Sequence, residues 1–498
     1  MNVLLITADQ WRGDCLSALG HPCVRTPALD RLAGDGVLFR RHFSQATPCG
    51  PARASLHTGL YALNHRSIGN GTPLDARHKT LAQLVRQAGR DPVLFGYTDT
   101  SVDPRTVPPD DPRLKTYEGV ASGYRTELLL PEAAEAWLEH LAERGYGRPT
   151  LEEVYGTRLG APALFRSEDS ETAFVTDRFL AWLDRQRSPW FAHLSWLRPH
   201  PPWVAAEPWN SLIEPAHVPS PLRAATIERE AALHPWLDVH LRQRWAKARP
   251  PGHPASPAEL GAAAVATLRR VYFGLIAEVD HHLGRIVAAL ARRGEWDDTL
   301  LLFTSDHGEM LGDHWMLGKA GFFPEAFHVP LIVRDPRPGR ARGRRVDAFT
   351  EHVDLMPTIL DALEIEVPLQ CDGRSLAGFL AGEEPRSWRS EAHFEHDFRD
   401  LETLAYERAL GLASDDCAID VQLGRRWAYV HFSGLPALCF DHAADPGWTR
   451  NLAAQPEAAG IVLAQAQGLL SWRMRAAERR LTACKLTPAG PIGRYDPL

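Results

Sequence analysis

Four stretches of the chain share one pattern, in which a nearly continuous apolar run ends abruptly in polar residues. The runs cover residues 2–8, 92–96, 190–196 and 300–304, and Asp, Tyr, Thr, Arg, His or Ser side chains follow them. Apolar runs of this length, separated by helical segments, are typical of parallel strands buried on both faces. The pattern therefore predicts an α/β fold with a large, mostly parallel sheet flanked by helices. Because ligands bind beyond the carboxyl ends of such strands, the four polar clusters are expected to converge there.

Helix signals support this interpretation. Apolar residues recur with a spacing near 3.6 between Leu268 and Leu290, which predicts a helix. Thr26 followed by Pro27 predicts a second helix start, with a threonine cap and proline at the first position.

The pattern changes around residue 365, where the alternation of strands and helices stops. Short strands are predicted at 417–423 and 427–432, and a closing helix at about 461–481. We therefore expect a catalytic domain over residues 1–365 and a C-terminal subdomain with a small antiparallel sheet over residues 366–498.

An insertion near the predicted active site is expected over residues 203–260, which end in a proline-rich stretch at 249–257. It carries Trp203, Trp209, Trp236 and Trp245. Two interpretations stay open: a wall or lid beside His200 that contacts a hydrophobic ester group, or ordinary packing.

Composition fits a globular protein of this size. The 498 residues are 44% hydrophobic and 23% charged, and the net charge of −7 gives no support to nucleic-acid binding. The basic stretch 334–345 is interrupted by Pro and Gly and predicts a solvated loop between strands. No apolar run approaches the length of a membrane span. Because no secretory segment is visible and the seven cysteines are scattered, we expect a reduced, cytoplasmic protein.

One cysteine stands in a distinctive context. Cys49 opens the run Cys-Gly-Pro-Ala-Arg, followed by a short apolar stretch and Thr-Gly. Pro51 suits the first turn of a helix, which would place Cys49 at a helix N-terminus that favours anions. Arg53, one turn further, adds a fixed positive fork. The alternative is a buried cysteine that acts as a small hydrophobe near a turn.

Two strand ends together suggest a metal site. Asp9 and Gln10 follow the first apolar run, and Asp306 and His307 follow the last. Two carboxylates, an amide oxygen and an imidazole suit a divalent cation. Mn²⁺ is favoured because Ca²⁺ prefers oxygen ligands alone, although Ca²⁺ is possible. Taken singly, each residue could instead be an ordinary turn or cap.

With these motifs in place, the chain resembles the phosphonate monoester hydrolase and arylsulfatase branch of the formylglycine-dependent sulfatases, within the alkaline phosphatase superfamily. The resemblance covers essentially the whole chain. It rests on the segments 9–12, 47–53, 198–202, 305–309, 317–319, 356–360, 397–400 and 470–473.

The resemblance implies a nucleophile and a metal centre. Cys49 would be oxidised by a maturation enzyme to formylglycine, whose hydrate offers one hydroxyl for attack and another for product release. Once converted, Cys49 would also be a metal ligand beside the four residues Asp9, Gln10, Asp306 and His307.

The resemblance also implies roles for residues around that centre. Arg53 would hold the formylglycine hydrate, and Lys319 would counter charge that builds in the transition state. His200 would donate a proton to the leaving oxygen. Asn70 and Tyr97 would hydrogen-bond the bound oxyanion.

One position departs from the family pattern. Where a run like Gly-Tyr-Thr-Thr-Thr is expected, this chain has Gly96-Tyr97-Thr98-Asp99-Thr100. A carboxylate repels a dianion more than a monoanion, which disfavours phosphate monoesters. It permits sulfate monoesters, phosphonate monoesters and phosphodiesters, each with a single charge. The alternative is that Asp99 points away and caps a loop.

We therefore expect a metal-dependent hydrolase of monoanionic sulfate or phosphonate monoesters. Two alternatives are weaker: a phosphatase or phosphodiesterase with a hydroxyl nucleophile and two metal ions, and a non-catalytic binding relative. Expected partners are a small-molecule ester substrate and the maturation enzyme, with no nucleic acid and no membrane. The resemblance further implies a homo-oligomer.

Overall fold

The computed structural model describes residues 1–156, 158–187, 189–243, 261–478 and 480–493. Trp245 and the stretch 249–257 lie outside the described residues. The strands are β1 (Asn2–Ala8), β2 (Val37–Phe43), β3 (Ala46–Thr47), β4 (Pro92–Gly96), β5 (Arg125–Leu129), β6 (Phe191–Trp196), β7 (Thr299–Thr304), β8 (His328–Arg334), β9 (Arg344–Glu351), β10 (Ala392–Asp397), β11 (Ala418–Leu423), β12 (Trp427–Phe432), β13 (Leu438–Asp441), β14 (Cys484–Thr487) and β15 (Gly490–Gly493).

The helices surround these strands. They are α1 (Pro27–Gly34), α2 (Cys49–Thr58), α3 (Ala62–His65), α4 (Leu81–Gln87), α5 (Glu135–Leu141), α6 (Leu151–Tyr155), α7 (Glu171–Leu183), α8 (Ile227–Ala231), α9 (Pro235–Gln243), α10 (Ala262–Arg292), α11 (Leu355–Ala362), α12 (Ala377–Leu380), α13 (Ala405–Leu410) and α14 (Ala459–Ala476).

Eight strands form the large sheet, in the order β5-β4-β6-β1-β7-β8-β2-β9. All neighbours pair in parallel except β8, which is antiparallel to both β7 and β2. All four predicted apolar runs are strands of this sheet, and they stand side by side as β4, β6, β1 and β7. The expected α/β class with a large, mostly parallel sheet is therefore confirmed.

The large sheet is buried on both faces. One hydrophobic cluster contains Leu4 and Ile6 of β1, and a different cluster contains Val3 and Leu5, which alternate with them. Helices α1, α7 and α10 contribute to the first cluster, and α4 and α11 to the second. Burial on both faces explains why these strands are apolar without alternation.

The smaller sheet has the order β13-β12-β11-β10-β3. Strands β10 to β13 pair antiparallel, as expected for the C-terminal part. Strand β3, however, comes from the N-terminal part of the chain and pairs in parallel with β10. Because β3 ends at Thr47, two residues before Cys49, the C-terminal sheet helps to hold the chain that leads into the motif.

Two details of the helix predictions need correction. Thr26 does not cap α1: its hydroxyl bonds Ser17, and the carboxylate of Asp280 accepts hydrogen bonds from Ala28 N and Leu29 N at 2.9 and 2.8 Å. A tertiary partner thus replaces the local cap. Helix α14 ends at Ala476, five residues before the predicted end, because Ala477 leaves the helical conformation.

The insertion contributes two tryptophans to the core, and its role as a wall or lid beside His200 stays a prediction. Trp203 and Trp236 are 1% and 0% exposed, so ordinary packing accounts for both rings. Trp209 is partly buried and donates to Ser167 Oγ at 2.7 Å. The basic stretch 334–345 does form the connection between β8 and β9, as predicted. Among the described residues, no helix is both long and apolar enough to cross a membrane.

Candidate active site

The predicted site residues meet at the carboxyl ends of neighbouring strands. Asp9 and Gln10 follow β1, Asp306 and His307 follow β7, and Cys49 is the first residue of α2. Because β1 and β7 are adjacent and parallel, residues that follow them emerge side by side. The prediction that Cys49 begins a helix is confirmed, and Pro51 lies in the first turn of that helix.

Four potential metal ligands converge. One ligand atom from each of Asp9, Cys49, Asp306 and His307 lies within 4.8 Å of the others, and all four residues are buried. His307 Nε2 is 3.2 Å from Cys49 Sγ, 3.5 Å from Asp306 Oδ2 and 3.7 Å from Asp9 Oδ1. His307 Nδ1 lies 3.0 Å from the Gly308 carbonyl oxygen, which favours a proton on Nδ1 and leaves the Nε2 lone pair facing the group.

The donor set fits a divalent cation. Asp9 Oδ1 has no hydrogen-bond partner among the described residues, although it is buried. A buried carboxylate oxygen without a partner is costly, and a cation between these atoms removes that cost. Two carboxylates, an imidazole nitrogen and the side chain at position 49 form a mixed set that suits Mn²⁺ or a related metal.

Arg53 holds the two carboxylates together from one side. Its guanidinium donates to Asp9 Oδ2 and Asp306 Oδ2, both at 3.0 Å, and is 1% exposed. It also donates to the Tyr97 carbonyl oxygen at 3.0 Å and to Ser195 Oγ at 2.9 Å. Burial alone would lower the pKa of Arg53, but Asp306, Tyr97 and Asp9 outweigh it and raise the pKa well above its usual value. Arg53 is thus a permanent cation behind the ligand group.

Lys319 faces the nucleophile position. Its Nζ lies 3.0 Å from Cys49 Sγ and 2.8 Å from Gln10 Oε1. Burial lowers the pKa of Lys319, but the charges of Cys49, Asp9 and Asp306 outweigh this and raise it. The ammonium group therefore stays protonated at neutral pH.

Gln10 lies in the site, but its side chain is engaged by neighbours. Its Oε1 accepts from Lys319 and its amide nitrogen donates to Glu309 Oε2. Oε1 has a second lone pair, so the metal-ligand role predicted for Gln10 stays a prediction.

The unmodified Cys49 thiol is a weak nucleophile in this setting. Burial raises its pKa well above the usual value, and the Asp9 carboxylate adds to the effect. The thiolate, which is the reactive form of cysteine, is therefore disfavoured without a cation. To act as a nucleophile, the buried side chain at position 49 therefore needs a bound metal or chemical conversion.

The three predicted substrate-binding residues surround the same point. Asn70 Oδ1 accepts from Gly50 N at 2.9 Å, next to Cys49. The Tyr97 hydroxyl donates to Asp9 Oδ2 at 2.5 Å, so it is held by a candidate ligand. Asp99 is 5% exposed with φ 45°, and burial raises its pKa to about 8. The charges of Arg53, Asp9 and Asp306 also act on the Asp99 carboxyl, so it lies near the site, and its substrate-binding role stays a prediction.

His200 sits close to the ligand group in a well-fixed loop. Its Nδ1 is 2.6 Å from the Pro201 carbonyl oxygen, which favours a proton on Nδ1. Burial lowers the pKa of His200 to about 3, and Lys319 lowers it further. A neutral ring with its proton on Nδ1 has none on Nε2 to donate. The acid role of His200 thus requires an anionic substrate that raises this pKa.

Two residues of the site carried no prediction. Ser195 is the penultimate residue of β6 and accepts from Arg53, and Glu309 accepts from Leu311 N, Gly318 N and Gln10 Nε2. Glu309 therefore positions both Gln10 and the turn that carries Lys319. In the sequence, Glu309 is marked only as a carboxylate directly after Asp-His-Gly, in a stretch of chain that must be buried.

The fold and the site together define a class of protein. Buried carboxylates, a histidine and a cysteine gathered at the carboxyl ends of parallel strands define an α/β protein with a potential hydrolytic metal site. Within that class the chain belongs to the sulfatase family: the family profile "Sulfatase" matches residues 1–365. A second profile, "N-sulphoglucosamine sulphohydrolase, C-terminal", matches residues 312–473. The chain is therefore a sulfatase-family hydrolase.

Individual relatives point to one branch. The chain is 42% identical to the "Multifunctional alkaline phosphatase superfamily protein PehA" of Trinickia caryophylli, over 98% of each chain. It is 47% identical to the phosphonate monoester hydrolase of Agrobacterium radiobacter, with a TM-score of 0.96 over 99% of this chain and 100% of that chain. The phosphonate monoester hydrolase SpPMH of Silicibacter pomeroyi gives 42% identity and a TM-score of 0.94, also over 99% and 100%.

Proposed function

We propose that the protein hydrolyses monoanionic sulfate or phosphonate monoesters, and phosphodiesters as further substrates, with a nucleophile derived from Cys49. The observation that carries this proposal is the buried group Asp9, Cys49, Asp306 and His307 at the N-terminus of α2. The similarity to two phosphonate monoester hydrolases supports it. The word "multifunctional" in the name of a further relative supports activity on more than one ester class.

Asp9, Asp306, His307 and the side chain at position 49 would hold one divalent ion, with Gln10 as a fifth ligand and Mn²⁺ favoured. Bound there, the metal would supply Lewis-acid chemistry, polarising a substrate oxygen and lowering the pKa of a coordinated hydroxyl. Formylglycine at position 49, made by a maturation enzyme, would supply that hydroxyl as its hydrate.

The protein's own residues orient the metal ligands and neutralise negative charge on the substrate. Arg53 fixes Asp9 and Asp306, so both carboxylates keep their position when the substrate arrives. Lys319 presents a protonated ammonium 3.0 Å from Cys49 Sγ, next to where the formylglycine hydroxyl would lie, and would counter negative charge on the reacting oxyanion. Free amides at the start of α2 add a partial positive charge to the same region. His200 would place a proton on the departing alcohol once the anion has raised its pKa.

The chemical state of residue 49 gives the first prediction. The tryptic peptide His42–Arg53 of active enzyme is expected to contain formylglycine in place of cysteine. The fraction converted should scale with kcat across preparations of different maturation, because each unconverted chain lacks the nucleophile. Peptide mass spectrometry with an aldehyde-specific label measures the fraction. Full turnover from a preparation in which that peptide carries only intact cysteine would contradict the mechanism.

The charge at Asp99 gives the second prediction. Burial raises the pKa of Asp99 to about 8, so its carboxyl becomes negative as the pH rises through that value, or a lower one when a cation is bound. The kcat/KM of a dianionic aryl phosphate, relative to that of a monoanionic aryl phosphonate with the same leaving group, should then fall by about tenfold. In Asp99→Thr this ratio should stay flat with pH.

The same assay compares aryl sulfate with aryl phosphonate on one metal-loaded preparation of known formylglycine content. A large preference for either one assigns the main substrate class.

If the pH dependence of the phosphate to phosphonate ratio is the same in wild type and Asp99→Thr, then Asp99 does not face the substrate and caps a loop instead.

A further inference from the structure

A cavity of about 250 Å³, separate from the active site, is lined by residues of both sheets. Its walls include two consecutive arginines of β2, the turn between β11 and β12, and the segment after β13. None of the predicted active-site residues lines it. The residues that matter here are Arg40, Arg41, Phe349, Arg425 and His442.

Arg41 lies in this cavity without a polar partner. Among the described residues its guanidinium forms neither a hydrogen bond nor an ion pair, and it stands over the Phe349 ring at 5.3 Å from the centroid. Arg425 donates to the backbone carbonyl of Asp347 at 3.1 Å and pairs with no carboxylate in the described part of the chain. The guanidinium groups of Arg41, in the large sheet, and of Arg425, in a turn of the smaller sheet, therefore retain donors for a ligand.

An irregularity in β2 determines where the side chain of Arg41 lies. The register of β2 shifts after Phe39 against both neighbouring strands, β8 and β9. Such an irregularity turns side chains away from the regular alternation. As a result Arg40 is exposed and pairs with Asp347 at 3.0 Å, whereas Arg41 is half-buried against Phe349.

The cavity carries excess positive charge. Burial lowers the pKa of Arg41, and the nearby cations Arg425 and Arg40 lower it further, with Asp347 opposing. Burial and Arg41 also lower the pKa of His442, with Asp441 and Asp445 opposing. A group of like charges without enough counter-charge is unfavourable, and an added anion would relieve it.

The two carboxyl groups in the wall do not provide this counter-charge. Asp14 is already paired with Arg12, whose guanidinium also contacts Asp313. Glu325 is half-buried, and burial raises its pKa, which makes its negative form less favourable. Among the described residues, neither carboxyl group forms an ion pair with Arg41.

We propose that this cavity is a second, non-catalytic site, which binds a small oxyanion such as inorganic sulfate or phosphate between Arg41 and Arg425. The planar guanidinium fork matches two oxygens of such an ion, and charge-assisted hydrogen bonds of this type are strong. An anion held there joins the large sheet to the C-terminal sheet. The site does not depend on the proposed reaction.

The test counts sulfate ions bound by the full chain. Equilibrium dialysis with labelled sulfate at low ionic strength gives the total, and competitive inhibition of ester hydrolysis gives the binding constant at the catalytic site alone. The double variant Arg41→Gln/Arg425→Gln should lose one sulfate per chain, or bind it at least about tenfold more weakly. Its kcat/KM and its inhibition constant for sulfate should equal those of wild type, which also shows that it folds.

Two controls separate the site from general charge. Arg345→Gln/Arg386→Gln removes the same charge from exposed positions outside the cavity and should keep every bound sulfate. Arg41→Lys keeps the charge but loses the fork and should give an intermediate affinity. Repeating the dialysis with phosphate shows which anion is preferred.

The proposal is overturned if the glutamine double variant binds as many sulfates as wild type with the same affinity. It is equally overturned if the catalytic site accounts for all sulfate bound by the wild-type chain.

Discussion

Replacing Cys49 by alanine is expected to abolish turnover, with kcat reduced by at least about 10⁴-fold, because the variant has no nucleophile at the start of α2. The rest of the site should survive. Asp9, Asp306 and His307 remain in place, and Arg53 still holds both carboxylates. Metal binding should therefore weaken but persist. Steady-state kinetics measures the first effect and calorimetric titration with Mn²⁺ the second.

The control for this variant is Cys439→Ala. Cys439 is also buried, but it lies in β13, in a hydrophobic cluster with Tyr429 and Leu469. Its loss should cost some stability and leave kcat/KM unchanged. If Cys49→Ala turned over substrate like wild type, the nucleophile would have to be another residue, and the assignment would fail. Loss of activity in both variants would instead point to a general folding defect.

Much of the fold could be predicted from the apolar pattern. Strands β1, β4, β6 and β7 are buried on both faces, so their sequences are apolar and each ends where the chain leaves the sheet. The same abrupt ends located Asp9 and Asp306. This part of the site was accessible because strand ends and ligands coincide in such folds.

Other features depend on partners that are distant in the chain. Strand β3 has two residues and pairs with β10, about 350 positions later, so no local pattern marks it. Helix α1 is capped by Asp280 rather than by the adjacent Thr26. The role of Glu309 likewise becomes visible only when Gln10 and the turn at Gly318 are folded against it. Side-chain networks of this kind are set by tertiary packing.

The geometry also shows which positive groups neutralise the Asp9 carboxylate. Burial alone would raise the pKa of Asp9, but neighbouring positive groups, Lys319 and Arg53 among them, outweigh it and hold the pKa below its usual range. The Asp9 carboxylate is therefore ionised whether or not a metal is present. Arg53 provides its closest cation through the 3.0 Å contact at Oδ2, while Oδ1 stays without a partner on the side of Cys49 and His307. A metal ion at Oδ1 would complete the compensation.

Because Arg53 and a metal ion would neutralise the same carboxylates, the stability of Arg53→Met with and without a metal can be predicted. Removal of the guanidinium leaves Asp9 and Asp306 as buried carboxylates that have lost their shared partner, which should destabilise the metal-free protein by about 3–5 kcal/mol. Because a divalent ion supplies positive charge to the same two carboxylates, saturating Mn²⁺ should recover more stability in the variant than in wild type. The midpoint of urea denaturation, with and without Mn²⁺, measures both effects. Arg345→Met, at an exposed position, should change neither midpoint appreciably. An equal Mn²⁺-induced shift in Arg53→Met and wild type would show that Arg53 and the metal do not share the two carboxylates.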